Sequence, residues 1–188
     1  MRVYDFDKTI FFPDSSACFI RYCLRRYPRA VLRALPSAGV IGLRWALKQA
    51  ETKELKEQLF SFLPYLDNVD AIVREFWDHY RCHIGEWYRK QMREDDLIIS
   101  ASPDFLLRPV AEELGVELIA THMDPHTGRI IGNNCHDAEK VCRFLKVHPG
   151  ETPDAFYSDS LSDSPMAWFS KEAWLVKNGN ELVPWPEN

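Results

Sequence analysis

The apolar residues of this chain change period along its length. Residues 2–6 form a short apolar run that ends in acidic residues, and Leu97-Ile98-Ile99 is the next comparable run, stopping at Ser100. Both read as buried strands. Between them the spacing is helical: Leu55, Leu59, Phe62 and Leu63 share one face, as do Ile72, Phe76, Trp77, Tyr80, Ile84, Trp87 and Tyr88, with Asn68 or Asp70 placed as an N-cap. Residues 13–92 therefore read as an all-helical insert. After Ser100 the pattern alternates: a helix over 103–114 closed by Gly115, a strand over 116–120, a turn at Gly128, and a helix over 137–147. A strand over 155–157, a short helix after Asp163 and a last apolar segment over 173–176 complete it. Strands alternating with helices predict an α/β fold with a doubly wound parallel sheet. Residues 1–12 and 93–188 would form the core domain and 13–92 a helical cap. Pro184-Trp185-Pro186 reads as a terminus only.

In such a sheet ligands bind beyond the carboxyl ends of the strands, where Asp5, Ser100 and Asp159 would each fall. Asp5-Phe6-Asp7 sets two carboxylates on opposite sides of an extended backbone. One can attack phosphorus while the other carries a proton. Ser100, with the adjoining Ala101, and Lys140 would hold phosphoryl oxygens. Ser102-Pro103-Asp104 would cap the next helix, whose N-terminus suits an anion. Asp5, Asp7 (through its carbonyl), Asp159 and Asp163 would supply the oxygen donors that a hard cation such as Mg2+ prefers. Each residue alone has an ordinary reading, as a turn, a strand end or a solvated helix position. All of them in this order point to phosphoryl transfer.

Composition narrows the class. Of the 188 residues, 46% are hydrophobic and 27% charged, ordinary for a globular chain. A net charge of -5 speaks against general nucleic-acid binding. Residues 15–50 nevertheless carry Arg21, Arg25, Arg26, Arg29, Arg33, Arg44 and Lys48 and no acid, so contact with an anionic membrane surface is one reading of that stretch and a solvated face the other. Its apolar positions are broken by Arg33, Pro36, Gly39, Gly42 and Arg44, a poor pattern for spanning a bilayer. Five cysteines without a Cys-x-x-Cys pair read as free thiols in a reducing compartment. With no secretion signal ahead of Asp5, a cytoplasmic location is expected. His79, Cys82 and His83 have a zinc-compatible spacing but no evident fourth ligand, and their helix reads as packing. No oligomeric state follows from the pattern.

Asp5-Phe6-Asp7-Lys8-Thr9, Ser100, Lys140 and Asp159-x-x-x-Asp163 together resemble, in order, the four motifs of the haloacid dehalogenase (HAD) superfamily. The helical insert directly after the first motif is similar to the small cap of its phosphoserine phosphatase-like subgroup. The resemblance implies a HAD-like Rossmannoid core and a magnesium-dependent phosphatase acting on a small phosphomonoester through an aspartyl-phosphate. Asp14 stands where that subgroup often places a substrate-contacting Glu. Three departures are present: Ser158-Asp159-Ser160 replaces a Gly-Asp-Gly pattern, Ala101-Ser102 follows Ser100 in place of Gly-Gly, and no arginine that would bind a substrate carboxylate is evident around residues 56–59. A phosphatase for an anionic lipid head group and a catalytically weak binding module are the alternatives.

Overall fold

A computed structural model describes residues 1–34 and 52–186. Six strands, β1 (Arg2–Tyr4), β2 (Leu97–Pro103), β3 (Glu117–Thr121), β4 (Ala155–Ser158), β5 (Glu172–Lys177) and β6 (Glu181–Pro184), form one sheet in the order β3-β2-β1-β4-β5-β6. All neighbours are parallel except β5 and β6. The expected doubly wound α/β architecture is therefore observed. Chain order runs outward in both directions from β1, so the topological switch lies between β1 and β4.

Side chains alternate across the sheet, and the two faces carry separate cores. Val3, Leu97, Ile99 and Phe156 point to one face and pack with Phe144 of α7 (Ala138–Val147) and Met166 of α8 (Ser164–Phe169). Tyr4, Ile98 and Tyr157 point to the other, against Leu106, Leu107 and Val110 of α6 (Asp104–Leu114). Gly115 closes α6 in the left-handed region at φ 70°, as its position after the last apolar residue predicts.

Among the described residues of 13–92 lie α1 (Ser15–Arg26), α2 (residues 28–34), α3 (Thr52–Leu59), α4 (Val69–Tyr80) and α5 (Glu86–Gln91). Phe19, Phe62, Phe76, Trp77 and Tyr88 from this segment join the same cluster as the sheet residues Tyr4 and Ile98. Asn68 caps α4, its side-chain oxygen accepting from the Ala71 amide at 3.0 Å. The long helix expected through Tyr88 is interrupted instead. Gly85 N–H donates to the Ile10 carbonyl at 2.7 Å and Phe12 N–H to the His83 carbonyl at 3.2 Å, so pairing with the loop after β1 takes the chain out of helix. The interruption also breaks the helical face on which His79, Cys82 and His83 were aligned. No group of three metal-ligating side chains is found among the described residues. Residues 35–50 of the basic stretch, including Arg44 and Lys48, lie outside the described part. No described helix is long and apolar enough to cross a membrane.

The carboxyl-terminal end corrects the sequence reading. Asn178 (φ 52°) and Gly179 (φ 74°) turn the chain back into β6, and Trp185 beyond it donates its amide to Ala173 at 3.0 Å while its ring tilts against Phe156. Pro184-Trp185-Pro186 thus continues an edge strand. Asn-Gly was the signal for this hairpin.

Candidate active site

β1 delivers Asp5 to the carboxyl edge of the sheet, where its amide still pairs with the Tyr157 carbonyl at 2.8 Å. Lys8 then turns the chain at φ 57° and its amide meets the Phe11 carbonyl at 2.6 Å, so Asp5 and Asp7 stand at the mouth of a tight loop. Phe6, between them, is fully buried and locks that loop against Phe11 and Trp77.

Lys140, in the first turn of α7, is 1% exposed and donates to Asp5 Oδ1 and to Asp163 Oδ2, both at 2.7 Å. Ser158 Oγ donates to the same Asp163 oxygen at 2.7 Å. Burial opposes the ammonium charge, but the Asp5 and Asp163 carboxylates outweigh it and hold Lys140 above the ordinary lysine value. For Asp5 burial dominates: it pushes the carboxyl up to about 7, against the pull of Lys140 and with help from Asp163 and Asp7. Asp7 is pushed up to about 6, first by burial and then by Asp14, while hydrogen bonds from Ser102 and Ser15 work the other way.

Those two bonds fix the Asp7 side chain. Oδ1 accepts from the Ser15 amide at 2.6 Å at the start of α1, and Oδ2 from the Ser102 hydroxyl. Ser102 is free to do this because the β2–β3 register shifts between Ser100 and Pro103, taking Ala101 and Ser102 out of the ladder. The expected helix cap at Ser102 is therefore replaced. Pro103 occupies the N-cap position of α6, and Asp104 Oδ1 accepts from the Phe105 and Met123 amides at 2.9 and 3.1 Å. Pro103 to Phe105 do not line the cavity that Asp5 and Lys140 face.

Ser100 accepts from the Ser102 amide at 3.1 Å and is 1% exposed. Asp159 is held from behind: its amide donates to Thr9 Oγ1 at 2.9 Å, tying the last motif to the first. Burial raises the Asp159 carboxyl above the usual carboxylate range, with Lys8 opposing. The serines around Asp159 have clear work. Ser160 N–H donates to Ser158 Oγ at 3.2 Å, and Ser162 N–H donates to Ser160 Oγ at 3.3 Å. Ser160 sits at φ -122°, so this loop needs no glycine there.

Asp5, Asp7, Asp14, Ser100, Ala101, Lys140, Asp159 and Asp163 all line one cavity of about 750 Å³. Asp14 is also the N-cap of α1, accepting from the Ala17 amide at 2.9 Å. The sequence reading missed Lys56 of α3, which reaches the same cavity. Its ammonium donates to the Ala101 carbonyl at 2.6 Å and to Asn134 Oδ1 at 2.8 Å, while the single Thr121 hydroxyl lies within hydrogen-bond distance of the same two acceptors, at 2.7 and 3.0 Å. Nothing in the local sequence distinguishes Lys56 from a solvated helix lysine. Only the fold brings it beside Ala101.

The donor set suits magnesium. Mg2+ is commonly held by one or two carboxylates, waters and substrate phosphate, so a closed protein cage is not required. Asp5 and Asp159 offer carboxylates and the loop after Asp5 offers a carbonyl at Asp7. Asp163 Oδ2, by contrast, is already committed to Lys140 and Ser158.

Three solved structures share the fold. A protein of unknown function from Bordetella pertussis Tohama I is 22% identical, with a TM-score of 0.72 over 92% of this chain and 87% of that one. A phosphoserine phosphohydrolase-like protein from Francisella tularensis is 14% identical, with a TM-score of 0.55 over 92% and 86%. A phosphoserine phosphatase in apo form is also 14% identical, with a TM-score of 0.55 over 91% and 82%. Among curated proteins, CicA of Caulobacter vibrioides is 29% identical across 90% of this chain and 82% of its own length. The sequence model of the haloacid dehalogenase-like hydrolases matches residues 3–167, from the strand that carries Asp5 to the helix that follows Asp163, and the chain belongs to that family.

Proposed function

We propose that this hydrolase is a magnesium-dependent phosphomonoesterase that works through an aspartyl-phosphate on Asp5. The observation that carries the reading is the buried Lys140 bridge between Asp5 and Asp163, in a cavity that also holds Asp7, Ser100 and Asp159. The Asp5 oxygen not bonded to Lys140 attacks phosphorus, and the bond to the leaving oxygen breaks. Asp7, held by Ser15 and Ser102 and pushed up to about 6, gives that oxygen its proton. Water then attacks phosphorus, Asp7 takes its proton, and the Asp5–phosphorus linkage breaks to release phosphate. Lys140 and Ser100 hold the non-bridging oxygens. Asp163 keeps Lys140 aimed, and Asp5, Asp159 and the Asp7 carbonyl would hold Mg2+, which neutralises the charge developing on the phosphoryl group.

Residues 13–92 act in this reading as a cap over a core of 1–12 and 93–188, and the enzyme works on a phosphorylated small molecule in the cytoplasm. The phosphoserine phosphatases that share the fold, named for that substrate, support the phosphatase class. The test is hydrolysis of p-nitrophenyl phosphate with and without Mg2+, comparing wild type with Asp5→Asn. Turnover that requires both Mg2+ and Asp5 is expected. Mg2+-independent turnover, or full activity in Asp5→Asn, would sink the mechanism.

A further inference from the structure

The cavity is far larger than a phosphate needs, and its outer wall is unlike its floor. α1 lines it with Ala17, Ile20, Arg21 and Leu24, and α3 with Thr52, Leu55, Lys56 and Leu59. Each set follows the spacing i, i+3, i+4, i+7, so each is one face of its helix. For α1 this is largely not the core face: Cys18, Phe19, Tyr22 and Cys23 are buried on the other, and of the four cavity residues only Ile20 also packs against the core. α3 buries no residue completely. It is fastened by polar contacts: Lys53 to the Gly132 carbonyl at 2.7 Å, Lys56 to Ala101 and Asn134, and Glu57 accepting the Ile130 amide at 2.8 Å. Leu55 and Leu59 belong to neither buried core cluster. Leu24 and Leu59 are 43% and 42% exposed, water-facing apolar surface directly continuous with the catalytic carboxylates.

Apolar walls meeting a few convergent polar groups are the ordinary form of a site for a partly apolar ligand. Between the leucines stand two cations, Arg21, which has no ion pair among the described residues, and Lys56, which is bonded only to neutral oxygens. Burial holds Lys56 down to about 8, against the opposing pull of the Asp7, Asp14 and Asp5 carboxylates across the cavity. A hydrophilic metabolite would leave this wall wet.

We propose that the substrate is an amphiphilic phosphomonoester, its phosphoryl group on Asp5 and Lys140 and its hydrocarbon portion between Ile20 and Leu24 of α1 and Leu55 and Leu59 of α3. This names the substrate class of the phosphatase proposed above and rests on that reading. Such hydrocarbon could belong to a lipid in a membrane or to a soluble ester.

The experiment is a chain-length series run in two ways. Hydrolysis of methyl, butyl, hexyl and octyl phosphate with Mg2+ is expected to show kcat/KM rising about two- to fourfold per methylene, with O-phosphoserine below hexyl phosphate. Calorimetric binding of the matching alkylphosphonates, which cannot be hydrolysed, is expected to tighten along the same series. Both slopes should flatten in the double variant Leu55→Asn/Leu59→Asn. A flat series, or a preference for O-phosphoserine, overturns the proposal. Absence of any Asp5-dependent hydrolysis removes the phosphatase mechanism, while phosphonate binding that fails to tighten with length removes the apolar wall. Dodecyl phosphate carried in phosphatidylcholine vesicles separates the sources: turnover there assigns a membrane lipid, and turnover of the free monomer alone assigns a soluble ester.

Discussion

Lys140 is a lone cation between two buried carboxylates, and its loss leaves Asp5 and Asp163 facing each other without compensation. Breaking a buried pair by removing one partner costs about 3–5 kcal/mol. Lys140→Met is therefore expected to lower the urea midpoint by a corresponding amount, and adding Asp163→Asn should restore part of it. Thr9 is the less visible case. Thr9→Val removes the acceptor for the Asp159 amide and is expected to weaken apparent Mg2+ affinity by about tenfold or more, read by metal titration of activity. Lys56 gives a pH signature. Its folded value of about 8 lies below the ordinary 10.5, so between these values the unfolded chain binds more protons and this lysine's contribution to stability rises with pH. Wild type is expected to gain stability over Lys56→Met as pH is raised from 8 to 10, measured by chemical denaturation at each pH. The acidic residues, Ser100 and Lys140 could be singled out from the sequence because their order carries chemistry. Thr121 and Asn134 could not, because their hydrogen bonds reach carbonyls and side chains distant in the chain.

At the scale of elements, Gly128 shows how one backbone position supports the site. It turns the chain at φ 71°, with its amide on the Asp124 carbonyl at 2.8 Å, and a Cβ there would lie 2.4 Å from the Phe60 carbonyl oxygen at the end of α3. Gly128→Ala is expected to cost more than about 1 kcal/mol, which for a chain of this size lowers Tm by about 2–4 °C or more per kcal/mol. Helix and strand types were largely legible from period, since strands buried on both faces and helices with one apolar stripe leave different patterns. Boundaries were less so. β2 runs on to Pro103 because its bulge keeps Ser102 extended beside Asp7, and the helix through Tyr88 breaks at Gly85 because the loop after β1 competes for its backbone.

Across the whole molecule, no gap in packing separates residues 1–12 and 93–188, proposed as the core, from the described residues of 13–92, proposed as the cap. Phe76 and Trp77 of α4 sit in the same cluster as the sheet residues Tyr4 and Ile98, and the Trp77 indole donates to the Leu106 carbonyl at 2.6 Å. α3 differs, since it buries no residue completely and hangs over the cavity on polar contacts. Few buried apolar contacts mean a low free energy of local opening. Hydrogen exchange is expected to show α4 amides protected to nearly the same degree as β1 and β2, and α3 amides exchanging much faster. Equal protection of α3 and α4 would contradict that difference in local stability.

By itself the sequence determined the α/β pattern, the strand ends at which Asp5 and Asp159 emerge, and the identity of the groups proposed to transfer a phosphoryl unit. These depend on local period and on residue chemistry, which are written along the chain. The tertiary structure decided that Asp163 Oδ2 faces Lys140, that Ser102 holds Asp7 instead of capping a helix, and that α1 and α3 turn leucines toward the carboxylates. Each of those outcomes is a choice between a local partner and one distant in sequence. The burial and hydrogen bonds that settle such a choice exist only once the sheet has brought the segments together.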